Sequence, residues 1–239
     1  MRFPPRIFSL IAALLSLLST ASAQPERATG KEEPERTFSL LIATRHRKGL
    51  HYRDARGEHH LLPPSRSRTP VRHSYEGPSP IVFYEKIHLP DSTVNERPLA
   101  RAEFKHSMRK MLILLHPFDA AWSRCRAVVL DDSPRAFPYN SVQSLNLSIY
   151  PVQILLNGTR FTLQPTENKT LVVDPERGST NWHIAAKIDE QWRLVRASCT
   201  QFIDGMRQML LVNVDVTDPA KPRLDILSLY DQAPPEESE

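Results

Sequence analysis

The sequence predicts an all-β chain: two tandem immunoglobulin-like β-sandwich domains behind a cleaved signal peptide. Three observations predict it. Short apolar runs recur with turn residues between them every 8–12 residues or so, about the spacing of strands in a sandwich. No stretch after the N-terminus carries the 3.6-residue period of an amphipathic helix. Finally, Met108-Arg-Lys-Met-Leu112 and Met206-Arg-Gln-Met-Leu210 open two similar apolar runs 98 residues apart. Each run leads through a loop to a second apolar strand and then to aspartate, at Arg126–Asp132 and Leu224–Asp231. A period near ~100 residues fits duplicated β domains. One large sandwich with two similar hairpins is the competing explanation, since a five-residue match of this kind also arises by composition alone.

The elements follow in chain order. Arg2 and Arg6 form a basic start, Ile7–Leu18 a short apolar run, and Ala21-Ser22-Ala23 a small-residue cleavage pattern. Together they predict a signal peptide over 1–23. The run falls short of the ~20 residues that span a bilayer. Residues 24–37 are polar and charged and predict a disordered leader. The first domain is expected over 38–134. Its strands are Phe38–Ala43, Leu50 into an Asp54–Gly57 turn, Ile81–Tyr84, Leu99–Phe104, Met108–Leu115 and Cys125–Leu130. Leu61–Pro80 carries five prolines and reads as loop or edge, because proline removes a ladder donor. Asp91–Pro98 reads as a loop, and a turn is expected near Asp119–Trp122. Pro134 and Pro138 break the chain at the boundary.

The second domain, 135–232, is the more regular. Leu145–Leu147, Tyr150–Leu156 and Thr159–Leu163 read as strands, the last two joined through Asn157-Gly158, the strongest short hairpin signal. Thr170–Val173, Trp182–Ile188, Trp192–Thr200, Gln208–Val216 and Leu224–Leu229 complete it. Residues 233–239 form an acidic tail. Within this half, Asp131-Asp-Ser-Pro-Arg-Ala-Phe-Pro138, Asn146-Leu-Ser148 with Pro151-Val152, and the strand–Asn-Gly–strand hairpin resemble a group of exported, uncharacterised bacterial proteins with β-sandwich domains. The resemblance covers Leu130–Val173 best. It implies fold and export and carries no activity.

Composition narrows the functions. The formal charge is +4, falling to +2 without Arg2 and Arg6, which argues against a nucleic-acid partner. The charge is local: Arg45, Arg47, Lys48, Arg53, Arg56, Arg66, Arg68 and Arg72 stand against only Asp54 and Glu58 between Arg45 and His73. A basic stretch of this kind attracts anionic partners with a strength that falls as salt rises; a solvated loop is the plainer alternative. His46, His51, His59 and His60 lie in the same stretch, but their spacing matches no zinc motif. No metal and no cofactor is expected.

No G-x-S-x-G, H-E-x-x-H, P-loop or G-x-G-x-x-G pattern occurs. Ser133 and Ser198 are hydroxyls without a recognisable partner. Asp131, Asp132 and Asp231 read as turn caps rather than paired catalytic carboxylates. Cys125 and Cys199 form a disulfide or remain separate thiols; spacing does not decide. Trp122, Trp182 and Trp192 are the candidates for stacking on a sugar, with core packing expected for two of the three and for Trp192 by its alternation. Asn146, Asn157 and Asn168 head N-x-[ST] sequons, which mark surface positions only in a eukaryotic secretory pathway. The leading expectation is an exported, non-catalytic binding or structural module of the periplasm, envelope or extracellular space that contacts a protein or an anionic surface. A glycan-binding module using exposed tryptophan comes second, and an enzyme built from unrecognised loops third.

Overall fold

The computed structural model describes residues 36–42, 49–62, 72–119, 121–215 and 223–233. The expected signal peptide and most of the expected leader and tail lie outside the described residues. So do Arg45, His46, Arg47, Lys48, Arg66 and Arg68. The strands are β1 (Arg36–Ile42), β2 (Leu50–Arg53), β3 (His59–Leu62), β4 (His73–Tyr75), β5 (Ile81–His88), β6 (Val94–Ala102), β7 (Lys110–Pro117), β8 (Cys125–Asp131), β9 (Ser141–Asn146), β10 (Val152–Leu156), β11 (Thr159–Leu163), β12 (Asn168–Val172), β13 (Ser179–Ile188), β14 (Gln191–Gln201), β15 (Met206–Asp215) and β16 (Arg223–Gln232). Among the described residues the only helical element is a single 3-10 turn at Pro175–Arg177, and no helix is long and apolar enough to cross a membrane.

The strands form four four-stranded sheets. Their orders are β4-β1-β7-β8 and β3-β2-β5-β6 in the first half, and β12-β9-β15-β16 and β11-β10-β13-β14 in the second. Adding eight to each strand number of the first half reproduces the second. The repeated pentapeptides open β7 and β15, the seventh strand of each half. Their 98-residue spacing is one residue off the structural repeat, however. Lys110 lies opposite Asp132, whose N–H donates to the Lys110 carbonyl at 2.8 Å, as Arg207 lies opposite Asp231. Lys110 and Arg207, which pair with the second residue of β1 and the first of β9, are 97 residues apart. A one-residue slip turns every side chain to the other face: Met111 packs into the first core, whereas Met209 packs outside the second.

Each half has a core between its own two sheets. In the first, Phe38, Leu40, Ile42, Met111, Ile113 and Leu115 face Leu50, Tyr52, Ile81 and Phe83. In the second, Val142, Leu210 and Val212 face Val152, Ile154, Trp182 and Ile184. A third cluster joins Leu41, Leu112, Leu114 and Leu130 to Phe137, Leu145, Leu147, Met209 and Leu211. The β1-β7-β8 sheet thus buries its other face against the β9-β15-β16 sheet. This explains why Met111–Leu115 is uninterrupted rather than alternating: a strand buried on both faces needs apolar side chains at every position. The sixteen strands belong to one compact unit.

Two features differ from immunoglobulin-like expectations. β1 runs parallel to β7, and β9 parallel to β15, in the interior of a sheet, where immunoglobulin sheets are antiparallel. A parallel partner needs a long crossover, and here the chain forms five strands between β1 and β7. The charged segment Val94–Pro98, read as loop, is the first part of β6, and His73–Tyr75, inside the proline-rich stretch, is β4. Both are edge strands, where proline and charge are tolerated. The Asn157-Gly158 hairpin is formed as expected, with φ of 47° and 88° at the two turn residues.

Candidate functional site

The candidate site lies where the start of β7 meets the end of β8. Antiparallel pairing sets Met111 opposite Asp131, so residues around the start of β7 and the end of β8, distant in sequence, line one groove of about 600 Å³. Its walls are Ser107, Arg109, Lys110, Asp131, Ser133, Pro134, Arg135 and Ala136. The backbone holds the basic residues in place. The Arg109 carbonyl accepts from Thr37 N at 2.8 Å, and the Lys110 carbonyl accepts from Asp132 N.

The opposite wall is the Asp131–Phe137 turn, and each residue of it has work to do. Asp131 Oδ1 accepts from Ser133 N at 2.9 Å, as expected for a turn cap. The Ser133 carbonyl then accepts from Ala136 N at 3.1 Å and Phe137 N at 2.9 Å. Phe137 is buried in the cluster between the halves. Asp132 is not a cap. Its side chain is fully buried, 3.2 Å from Arg207 and 3.4 Å from Arg72. Arg207 also pairs with Asp231 at 2.7 Å, donates to the Phe137 carbonyl at 3.0 Å, and lies over the Phe137 and Tyr139 rings. This network fixes the turn from beneath, and Pro134 and Arg135 are left exposed above it.

The electrostatics of the groove are one-sided. Arg109, Lys110 and Arg135 face one carboxylate, Asp131, whose Oδ1 is already committed to Ser133 N. None of the three cations makes an ion pair with a described residue, whereas Arg53, Arg72, Arg97, Arg193 and Arg207 all do. With the hydroxyls of Ser107 and Ser133, the groove offers charge and hydrogen-bond donors to an anionic group.

Sequence-predicted residues fall elsewhere. Of the basic stretch, Arg53, Arg56 and Arg72 are described. Arg53 bonds Glu96 at 2.7 Å across the outer face of the β3-β2-β5-β6 sheet, and Arg72 reaches Asp132. On that outer face His51 stacks on Tyr84, and His59 Nδ1 contacts the Tyr84 hydroxyl and lies 3.5 Å from Glu96. Burial raises the Tyr84 hydroxyl above its ordinary range, and the Arg53 bond holds Glu96 below its own. His60, next in sequence to His59, points to the other face and bonds Asp54.

Cys125 and Cys199 are free thiols, the first buried and the second exposed; burial pushes the Cys125 thiol up to about 12. Trp122 and Trp182 are buried, each in a different core. Only Trp192 is exposed, at 45%, so the three do not assemble a stacking platform. The expected burial of Trp192 is also corrected: opposite Lys187 on edge strand β14, it sits on the solvent face of its sheet. Asn146 is buried, and its amide donates to the Tyr150 and Leu163 carbonyls, so it is no surface sequon. The groove was missed because its cations sit outside the basic stretch. The signal available was Arg109-Lys110 directly before a strand that hairpins back to Asp131. No protein-family model matches the chain, and a search of curated proteins finds no match.

Proposed function

We propose that this protein is an exported, non-catalytic binding module whose partner presents clustered negative charge, on an acidic protein segment or an anionic envelope polymer. The observation that carries this reading is the groove in which Arg109, Lys110 and Arg135 face a single described carboxylate, Asp131, and make no ion pair with a described residue. Cations that make no ion pair with a described residue attract an anion without first having to leave such a partner. The basic composition of 45–73, in the same half, adds to the field that brings such a partner in. Export rests on the signal-peptide pattern at 1–23 and on the resemblance of Leu130–Val173. The same reading takes residues 38–134 and 135–232 as duplicated β-sandwich domains. It is supported by the strand order that repeats after eight strands. Their immunoglobulin-like character rests on two sheets facing one core, and the interior parallel pairs depart from it.

The test is to crosslink the protein in its native envelope and fractionate what copurifies. A stoichiometric acidic protein, or retention on an anionic polymer released by salt, supports the reading. Retention on neutral polysaccharide that salt does not release overturns it.

A further inference from the structure

We propose that Asp54, Glu58 and His60 form a binding site for one divalent transition-metal ion of the zinc type. The β2–β3 hairpin brings the three together. Tyr52 lies opposite His60 and Arg53 opposite His59, and the chain reverses through Asp54–Gly57, where the Gly57 N–H donates to the Asp54 carbonyl at 3.1 Å. Gly57 has φ +79°, a left-handed conformation that glycine adopts without strain.

The turn orients one ligand. Asp54 Oδ1 accepts from the N–H groups of Arg56 and Glu58, each at 2.9 Å, which leaves Oδ2 directed at His60 Nε2, also at 2.9 Å. The His60 ring is held against Tyr52, nearly parallel, with centroids 4.8 Å apart. A ligand atom from each of Asp54, Glu58 and His60 lies within 4.8 Å of the other two. Metal–ligand bonds of about 2.1 Å in a tetrahedron place ligand atoms ~3.4 Å apart. The gap closes by rotating Glu58, whose side chain makes no described bond and is exposed.

A second observation points the same way. A groove of about 180 Å³ opens beside the cluster, lined by Asp54, His60, Ser74 and Glu76, with Ala55 and Arg56. It gives the ion room for water, and Ser74 of β4 and Glu76 just beyond it line the same groove. Among the described residues, Arg56 is the one lysine or arginine lining this groove. Imidazole with two carboxylates suits zinc, nickel or copper; calcium and magnesium prefer oxygen alone. Binding replaces the hydrogen bond between His60 Nε2 and Asp54 Oδ2 by bonds from both atoms to the ion, with the imidazole proton carried on Nδ1. The residues are separate from the basic groove, and the site stands or falls independently of the function proposed there.

The experiment titrates the full chain with zinc chloride by calorimetry, and with cobalt(II) chloride by visible absorption. One equivalent of zinc and a cobalt band in the tetrahedral range are expected. His60→Ala and Glu58→Gln should each weaken binding tenfold or more, while His59→Ala, on the opposite face, leaves it unchanged. Glu58 and His60 cap no turn, so these variants keep the hairpin. Asp54→Asn is expected to behave likewise, and its far-ultraviolet spectrum reports whether the turn survives. Absence of zinc binding, binding that survives His60→Ala, or calcium bound as tightly as zinc would each overturn the proposal.

Discussion

Removing Arg207 is expected to be among the most costly single changes in the protein. Its guanidinium is 2% exposed and joins Asp132, Asp231 and the Phe137 carbonyl. Arg207→Met keeps a stem of similar length against Phe137 and Tyr139 but deletes the charge. Asp231, one-third exposed, regains water and loses little. Asp132 has no exposed surface, and its neighbour Arg72 at 3.4 Å is itself 40% exposed and a weaker partner. Breaking a buried pair from one side costs about 3–5 kcal/mol, and the orphaned Phe137 carbonyl falls within that figure. Asp132→Asn in the Arg207→Met background removes the charge that Arg207 neutralised and should recover part of the loss, a coupling that a double-mutant cycle isolates. Urea unfolding followed by tryptophan fluorescence measures each variant. A loss below about 1 kcal/mol for Arg207→Met, or no recovery in the double variant, would refute the claim that this network clamps the turn at the junction of the halves.

Other consequences are open to measurement. Burial holds His51, His73 and His116 below their ordinary value of 6.5, so the unfolded chain takes up protons near that pH that the folded chain refuses. Stability should be full above that value and fall as pH drops through it; urea midpoints at pH 8 and 5.5 check this, with a smaller fall for His116→Phe, and equal midpoints would contradict it. Native protein should react with one equivalent of a maleimide, at exposed Cys199, and with two only in denaturant; two fast equivalents in the native state would place Cys125 wrongly. Gly158→Ala should cost about 1–2 kcal/mol by backbone strain alone, since φ is +88° and a Cβ there meets nothing within 4 Å. An unchanged urea midpoint for that variant would count against the turn geometry.

The strands were legible where burial leaves a pattern. β11 alternates because one face is buried, and β7 is continuously apolar because both are. β6 was partly hidden because its first half is stabilised by charge pairing rather than by apolar contacts: Glu96 reaches Arg53, and Arg97 reaches the buried Glu85 at 2.6 Å. The repeat was visible as a pentapeptide but off by one residue, since the side chains alike in sequence, Met111 and Met209, face different layers. Asp131 was readable as a cap, while its neighbour Asp132 gave no hint that it pairs with an arginine 75 positions later. The groove and the metal-ligand cluster depend on strand register, which brings Arg109 to Arg135 and Asp54 to His60. The basic stretch that stands out in composition has two of its three described arginines, Arg53 and Arg72, paired with carboxylates.

The most direct test of the central claim measures binding of the full chain to a soluble polyanion, such as polyphosphate, across a salt series. Wild type and Arg109→Ser/Lys110→Ser/Arg135→Ser are compared. These side chains make no described ion pair, so the variant should keep its urea midpoint. The account predicts that wild-type affinity falls steadily with salt, as expected for screened charges, and that the triple variant binds at least tenfold more weakly with a shallower salt dependence. Equal binding by the two proteins, at equal stability, would contradict the assignment of the groove as the contact site.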